Sequence, residues 1–581
     1  MPIDARTRTL ATYWLGDIAH KTRNFDGSIV EMNKFISQAK TLSRLPDESS
    51  IYTANYTQGY NYLKKKNYSR ALGYFQDAVS SIKRNRMYIN NEYVTQNVLG
   101  DAVLRAGDCL FKSNKYNSAI KFYNEAINNR YSGFVYALYQ KAIIEGLRGN
   151  VTNKIIALEN VTEDYPRSDY ADNAYLQLGI TYQEINKLGQ AVSPLRQLID
   201  KYPDSELYNQ ALLRLGLISY NQGNTATAIN YYKQVFNHNP DAGEAQAALT
   251  ALEEIYVDDL GKPEEYFAFL ETIPGYNVGD AEKEEISFKA GESQFENGNY
   301  ENAVNAYTKY LRQYPNGRYS LLAHYRRGES YSVLKRYSEA LSDYEKIVQR
   351  GQSKYYSKAL TKAAIIAYNY EQNFEKAYRL YTQLEKAATD ENAQYEAQLG
   401  AMRSAYRTNN TDAVLITANK VKNNPRASDQ QKSAASFYIG KIAFDNKDYD
   451  PALEAFNTVT RLSDNEQTAE ARYLIAYIYY VRRDLEVAQQ LCLNANKESS
   501  NYPYWIAKSV ILLSDILAEK GDLFNAQAAL EGLIENYDED QELVNIAKTK
   551  LAQLKNQASA NSRLRFDNNN DDSSLELEEE Q

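Results

Sequence analysis

The sequence has few of the residues that interrupt helices. It holds 12 prolines and 26 glycines in 581 residues, so turn signals are sparse for a chain of this length. An all-β protein would need many more Gly, Pro and Asn-Gly turns, which excludes a sheet-rich fold. The sequence also lacks any run of about 18 apolar residues, so we predict no transmembrane segment.

Residues that commonly carry catalysis or bind metals are scarce as well. The two cysteines, Cys109 and Cys492, lie far apart within apolar helical patterns, so we expect no disulfide. None of the three histidines (His20, His238 and His324) lies in an H-E-x-x-H motif or at ligand spacing from a cysteine. Phosphate-binding loops and nucleophile elbows are also missing. We therefore expect no enzyme, no cofactor and no metal site.

The charge of the chain is negative, with a formal net value of −9 and a pI near 5.3. Nucleic-acid binding needs a basic face, so we expect no nucleic-acid partner. Much of the excess lies in the last 25 residues, where Asp567, Asn569, Asp571 and Glu578 match positions of a calcium loop. Asp572 stands where such a loop needs glycine, so we predict a disordered acidic tail over residues 556–581.

A repeated pattern dominates the remaining sequence. A small residue is followed by an aromatic residue, an alanine and a second aromatic residue, as in Gly59, Tyr68, Ala71 and Phe75. The other copies are centred on Gly16, Gly107, Ala142, Gly179, Gly216, Gly291, Gly328, Ile365, Gly400, Gly440, Ala476 and Ser514. The first two spacings are 43 and 48 residues, and the other single spacings are 35 to 40. A double spacing of 75 hides a degenerate unit near Glu253, which gives fourteen units.

The repeat predicts helix pairs that stack on one another. Small residues let two helices approach closely and aromatic rings fill the groove, but one pair cannot bury its apolar face alone. We predict an all-α, right-handed α-solenoid superhelix of about fourteen helix-turn-helix units. The degenerate segment 241–280, with turns at Gly261 and Gly275, is predicted to kink the superhelix between an arm over 1–240 and an arm over 281–555.

The pattern resembles the tetratricopeptide repeat family over nearly all of residues 5–555. Trp14-Leu15-Gly16 and Leu178-Gly179-x-x-Tyr182 are similar to its first-helix motif, although most units lack the tryptophan. The Tyr-Pro-x-Ser segments at 164–179 and 201–216 are similar to repeats of Gram-negative envelope proteins, the outer-membrane assembly lipoprotein and the periplasmic Tol–Pal coordinator. The resemblance implies a scaffold that binds a protein or peptide, with a complex of the bacterial cell envelope as the expected setting.

The family's geometry places the first helix of each unit on a concave surface, where aromatic and acidic side chains would contact a partner. The candidate contact residues are Tyr60, Gln183, Glu184, Tyr220, Asn221, Glu292, Phe295, Glu296, Glu329, Phe444, Asp445, Tyr477 and Tyr480. Such a groove suits a basic or neutral peptide or helix. Most of the 52 tyrosines are expected to be core. The family's carboxylate clamp needs Lys and Asn where Tyr56 and Tyr60 stand, which disfavours a co-chaperone.

Function and compartment are left with alternatives. A non-catalytic binding scaffold is one function class, a structural spacer or self-assembling subunit is the second, and a cytoplasmic adaptor is more distant. The N-terminus lacks the apolar segment of a signal peptide and enters a helical pattern without a polar cap. A piece of a longer exported protein would be periplasmic or outer-membrane-associated; otherwise we expect a cytoplasmic protein. The partner's identity and the oligomeric state are open.

Overall fold

The computed structural model describes residues 4–43 and 45–567, with the backbone alone for residues 560–567. These residues form 29 α-helices and contain no β-strand, which confirms the all-α repeat fold. Within them, no helix combines the length and apolar character needed to cross a membrane.

The helices of the first half of the chain are α1 (Ala5–Lys21), α2 (Phe25–Ala39), α3 (Ile51–Lys64), α4 (Tyr68–Arg84), α5 (Leu99–Lys112), α6 (Tyr116–Asn128), α7 (Phe134–Leu147), α8 (Val151–Asp164), α9 (Ala171–Glu184), α10 (Leu188–Lys201), α11 (Tyr208–Asn221), α12 (Thr225–Val235), α13 (Ala242–Glu253) and α14 (Pro263–Leu270). Short 3₁₀-helices cover Asp47–Ser49 and Arg86–Tyr88, and π-helical turns cover Val94–Val98 and Glu254–Asp259.

The helices of the second half are α15 (Asp280–Glu296), α16 (Tyr300–Gln313), α17 (Ser320–Val333), α18 (Tyr337–Arg350), α19 (Tyr356–Asn369), α20 (Phe374–Ala387), α21 (Glu391–Arg407), α22 (Thr411–Lys422), α23 (Asp429–Asp445), α24 (Tyr449–Leu462), α25 (Glu466–Val481), α26 (Leu485–Glu498), α27 (Pro503–Glu519), α28 (Leu523–Asn536) and α29 (Gln541–Asp567). Helices α1 to α28 follow the fourteen predicted units, and α29 is one further helix.

Each odd-numbered helix up to α27 is the first helix of a pair, and the even-numbered helix after it is the second. Helices that are neighbours in the chain pack together from α1 to α13 and again from α15 to α29, as α3 does with α4 and α4 with α5. First helices of successive pairs also touch, as α25 and α27 do. The first helices therefore supply adjoining side chains along a stack.

The turn inside a pair is short and has a repeated chemistry. The first helix typically ends at a residue in the left-handed region, such as Lys66 at φ 59° or Gly298 at φ 75°. An Asn or Asp side chain then accepts the backbone N–H at the start of several second helices, as Asn67 does from Arg70 and Asp522 from Asn525. Many of these turns therefore form without a glycine, which agrees with the small number of glycines in the chain.

The close contact between small and aromatic residues explains the repeat. A Cβ atom added at Gly291 would lie 2.5 Å from the Tyr307 ring, and one at Gly59 would lie 2.6 Å from Phe75. The rings of Tyr307 and Phe75 are fully buried. The anchor glycine is therefore required because the ring of the second helix occupies the space of a side chain.

The degenerate segment contains two helices, α13 and α14, with a π-helical turn between them. Gly261 and Gly275 have positive φ angles of 62° and 78°, in agreement with the predicted turns. The contacts divide the chain into two compact units, one containing the residues up to Tyr256 with 268–277, and the other containing 257–267 with Val278 onward. The kink and the boundaries of the two arms stay predictions.

The C-terminal helix α29 runs through residues 556–567, so the predicted start of the acidic tail falls inside a helix. No glycine or proline interrupts residues 541–567, and the helical backbone continues accordingly. The remaining tail, with the calcium-loop candidates Asn569, Asp571 and Glu578, lies outside the described residues.

Candidate functional site

Tyr60, on α3, belongs to a hydrogen-bonded network that links α3 to α5. Its hydroxyl donates to Asp101 Oδ2 at 2.5 Å, and the Tyr56 hydroxyl donates to the same oxygen at 2.8 Å. Arg105 pairs with Asp101 at 3.1 Å and also with Asp108. Burial and the Asp101 charge raise the pKa of Tyr60 above its usual value, so the phenol stays a neutral donor. Tyr60 thus serves the packing between helix pairs.

Four candidates lie in the last turns of α9 and α11: Gln183, Glu184, Tyr220 and Asn221. Gln183 accepts a hydrogen bond of 3.0 Å from Arg214, which joins the two first helices. Glu184 lies 4.0 Å from the ammonium of Lys154. The amide and the carboxylate are thus already engaged within the chain.

Three candidates converge on one arginine that the sequence did not single out. Arg326, on α17, pairs with Glu292 at 3.2 Å and with Glu329 at 3.2 Å. Its guanidinium carbon lies 4.6 Å from the centre of the Phe295 ring. The fourth candidate of this region, Glu296, lies at the end of α15, where its side chain is exposed and makes no ion pair with Arg326. The predicted acidic groove is therefore partly neutralised here, because one internal cation pairs with two of its carboxylates.

The remaining candidates lie in an aromatic part of the second unit. Five rings on α23, α25 and α27, which we name the C-terminal aromatic row, are Phe444, Tyr473, Tyr477, Tyr480 and Trp505. Ring centres are 5.8 Å apart for Phe444 and Tyr477, 6.3 Å for Tyr477 and both other tyrosines, and 5.7 Å for Tyr473 and Trp505. Each of the five side chains is half-buried. The row offers a continuous, partly exposed aromatic surface across three first helices.

The hydroxyl groups of Tyr473 and Tyr480 are held neutral. Burial raises the pKa of Tyr473 to about 12. Burial, with a hydrogen bond of 2.5 Å to Glu519, likewise raises the pKa of Tyr480 to about 12. Lys508 lies over the row, with its ammonium 5.1 Å from the centres of both Tyr473 and Trp505. The row therefore combines neutral phenols with one cation held over ring faces.

The acids beside the row are largely paired. Glu470 accepts from Lys441 at 2.8 Å, and Asp515 accepts from Lys550 at 2.6 Å. Asp445 is exposed and lines, with Lys441, a groove of about 430 Å³ at the end of α23. Because most of these carboxylates already have a cation, the surface favours a neutral, apolar contact over a strongly basic one.

The sequence contained a signal for the residues that were missed. Arg105, Arg214 and Arg326 each stand two positions before an anchor glycine, at Gly107, Gly216 and Gly328. In the structure each of the three reaches a residue on the preceding first helix, respectively Tyr60, Gln183 and Glu292. An arginine at this repeat position therefore marks a polar bridge between neighbouring units.

Models of the tetratricopeptide repeat match five stretches of the sequence, residues 100–130, 173–205, 210–242, 288–354 and 437–503. The chain contains tetratricopeptide repeats. The last matched stretch includes Phe444, Tyr473, Tyr477 and Tyr480, so most of the C-terminal aromatic row lies on recognised repeats. The repeat family predicted from the sequence is thereby confirmed. The resemblance to envelope proteins receives no support from these matches and stays a prediction.

Several solved structures are similar at low sequence identity. The yeast Tom70 structure shares 16% identity with a TM-score of 0.27, covering 74% of this chain and 97% of that one. The Cut9–Hcn1 hetero-tetramer of APC/C shares 13% identity with a TM-score of 0.28, covering 92% and 95%. Naa15/Naa10 bound to HypK-THB shares 12% identity with a TM-score of 0.31, covering 88% and 79%. Scores this low carry no conclusion about the chain. No curated protein matches the sequence significantly.

Proposed function

We propose that the chain is a non-catalytic scaffold that binds a protein partner through the C-terminal aromatic row. The observation that carries this proposal is the unbroken series of half-buried rings from Phe444 to Trp505. Tyrosine and tryptophan supply large, rigid contact areas and are enriched where binding energy concentrates. The paired acids beside the row point to a neutral, apolar helix or peptide segment as the partner, which narrows the expected basic or neutral peptide to the neutral one.

Site-specific crosslinking tests this proposal. A photoreactive amino acid at position 477 reports on the row, and the same group at Ile416, which is exposed on the second helix α22, is the matched control. We expect a discrete crosslinked product with a protein of the source cell at position 477 and none at 416. Equal products at both positions, or a product at 416 alone, would contradict binding through the row.

Self-association is the second candidate, and an apolar stripe on α1 favours it. Leu15 and Ile18 are 58% and 56% exposed. Leu178 and Leu215, at the same repeat position as Leu15, are 4% and 1% exposed because a neighbouring pair covers them. Light scattering on the purified chain distinguishes the two candidates. A discrete oligomer that Leu15→Lys converts to a monomer would support assembly through α1. If the unchanged chain is already a monomer, self-association is excluded and the binding scaffold is the remaining candidate.

The cellular setting is also a proposal. The segments at 164–179 and 201–216 support placement in a complex of the bacterial envelope, and a cytoplasmic adaptor is the alternative. Fractionation of the source cell, with an antibody against the chain, tests the two. Recovery in the periplasmic or outer-membrane fraction supports the envelope, and recovery with cytoplasmic markers supports the adaptor.

A further inference from the structure

The two longest single repeat spacings are neighbours, and their additional residues line one cavity. The spacings from Gly16 to Gly59 and from Gly59 to Gly107 are 43 and 48 residues, whereas the others are 35 to 40. The additional residues lie in the link from α2 to α3 and in the link from α4 to α5. Together with the ends of these helices, the links surround a cavity of about 900 Å³. Stacking of the repeats does not require these insertions, and insertions in repeat proteins often form a binding face.

A carboxylate fixes the two links to each other. Asp47 Oδ2 accepts the backbone N–H groups of Asn90 at 2.8 Å and Asn91 at 3.0 Å. Asp47 Oδ1 accepts the hydroxyl of Tyr52 at 3.1 Å. The cavity wall is therefore held by defined hydrogen bonds, and the Asp47 carboxylate is already occupied by donors.

The lining combines an apolar floor with one cation at the rim. The apolar side chains of the lining are Ala39, Leu42, Leu45, Pro46, Ile51 and Ile89. Arg84, at the end of α4, is the single basic residue among the described lining residues, and it has no ion pair with any described residue. Neutral donors occupy the oxygens of the Asp47 carboxylate, which keeps its charge, whereas the guanidinium of Arg84 is exposed and remains available to a ligand. An anionic group beside an apolar body is the complementary chemistry.

The rim carries apolar side chains that little else in the chain covers. Met87 is 94% exposed, and Tyr88, which also lines the cavity, is 82% exposed. Both lie in the inserted 3₁₀-helix Arg86–Tyr88. An adaptable Met side chain and an exposed Tyr ring beside an open cavity are typical of a surface that contacts a partner.

We propose that this cavity binds a peptide segment of a partner protein in which an apolar side chain stands next to an aspartate or glutamate. The apolar side chain enters between Leu42, Leu45 and Ile89, and the carboxylate pairs with the guanidinium of Arg84. Met87 and Tyr88 cover the neighbouring residues of the peptide. The site lies in the first compact unit and shares no residue with the C-terminal aromatic row, so its test is independent of the test of the proposed function.

Selection from a library of random octapeptides displayed on phage tests the site on the full chain. One arm selects on the unchanged protein and a second on Arg84→Glu, whose exposed position at the end of α4 spares the core. Lys121→Glu makes the same charge change on the exposed face of α6, away from the cavity, and is the control. We expect peptides with an apolar residue next to an acid on the unchanged protein and on Lys121→Glu, and at least a tenfold loss of their recovery on Arg84→Glu.

Two further measurements make the outcome decisive. Ile89→Ser keeps Arg84 but makes the floor polar, and it should weaken the selected peptides at least tenfold in a direct titration, with the unfolding temperature recorded for each variant. If a variant unfolds, Arg84→Gln and Leu45→Ser replace it. Selected peptides without the apolar–acidic pair, or equal binding to Arg84→Glu, would overturn the proposal. Binding of dodecanoate without binding of any peptide would also overturn it, because the ligand would then be a free amphipathic carboxylate.

Discussion

Arg326 holds its guanidinium carbon 4.6 Å from the centre of the Phe295 ring while pairing with a carboxylate on each side of it. The first contact joins α17 to α15, and so does the pair with Glu292. One side chain thus connects two repeats through both a ring face and a charge. The side chain is partly exposed, which keeps the strength of each contact modest.

Arg326→Ala should destabilise the second unit by about 1–2 kcal/mol, because it removes a cation–π contact and leaves Glu292 and Glu329 without their cation. Urea unfolding followed by circular dichroism measures the change. Lys358→Ala, at an exposed position of α19, is the control and should alter the stability by less than about 0.5 kcal/mol. Equal stabilities of the two variants would show that the bridge contributes nothing measurable.

The anchor glycine gives a second prediction. Gly291→Ala should destabilise the protein by about 1–3 kcal/mol, because the added Cβ would lie 2.5 Å from the buried Tyr307 ring and the ring has no free space to enter. Gly189→Ala is the matched control, since Gly189 lies in α10 with no atom within 4 Å of the added Cβ. Alanine there should stabilise the helix by about 0.5–1 kcal/mol. The unfolding temperature should therefore fall for Gly291→Ala and rise for Gly189→Ala.

The helix pairs could be predicted from the sequence because each pair repeats a local requirement. Gly59 and Gly291 face an aromatic ring at a fixed distance along the chain, so the contact appears as a periodic pattern of residue types. The two helices α13 and α14 could be placed even without the anchor glycine, because only the spacing of the neighbouring units was needed.

The candidate site could be predicted only in part, because its contacts join different repeats. Glu292 and Glu329 were predicted to contact a partner, but both pair with Arg326, whose orientation no local pattern specifies. Trp505 joins the aromatic row only because α27 packs beside α25. The two long repeat spacings can be read from the sequence. The hydrogen bond from the backbone N–H of Asn90 to Asp47, which shapes the cavity, cannot, because it depends on how the two links fold together.

Alkaline pH should unfold the protein over a defined range. Burial raises the pKa of Tyr232, Tyr473 and Tyr480 to about 12 in the folded protein. The unfolded phenol has a pKa of about 10, so the folded state favours the neutral form. This contribution is fully present below pH ~10 and is lost as the pH rises toward 12. The unfolding temperature should thus fall steeply between these values.

Tyrosinate absorbance followed in parallel with circular dichroism checks this expectation. Exposed tyrosines should ionise first without loss of helix, and the buried ones should ionise together with unfolding. Tyr473→Phe removes one of the phenols whose pKa burial raises, so the unfolding temperature of this variant should fall less steeply with pH. Ionisation of all tyrosines in one step near the ordinary pKa, with the helices intact, would contradict the predicted burial effect.

The inserted links give the last prediction. Asp47→Ala removes the acceptor of the backbone N–H groups of Asn90 and Asn91, so both should exchange their hydrogens faster with solvent. The repeats pack through other residues, and the loss of global stability should stay near 1–2 kcal/mol, the cost of unpaired donors that water can partly reach. Asp26→Ala, whose side chain is largely exposed beside Lys65, is the control and should leave that exchange unchanged. Hydrogen exchange by mass spectrometry over residues 85–93 measures the effect. Unchanged protection there in Asp47→Ala would mean that the links keep their arrangement without this carboxylate.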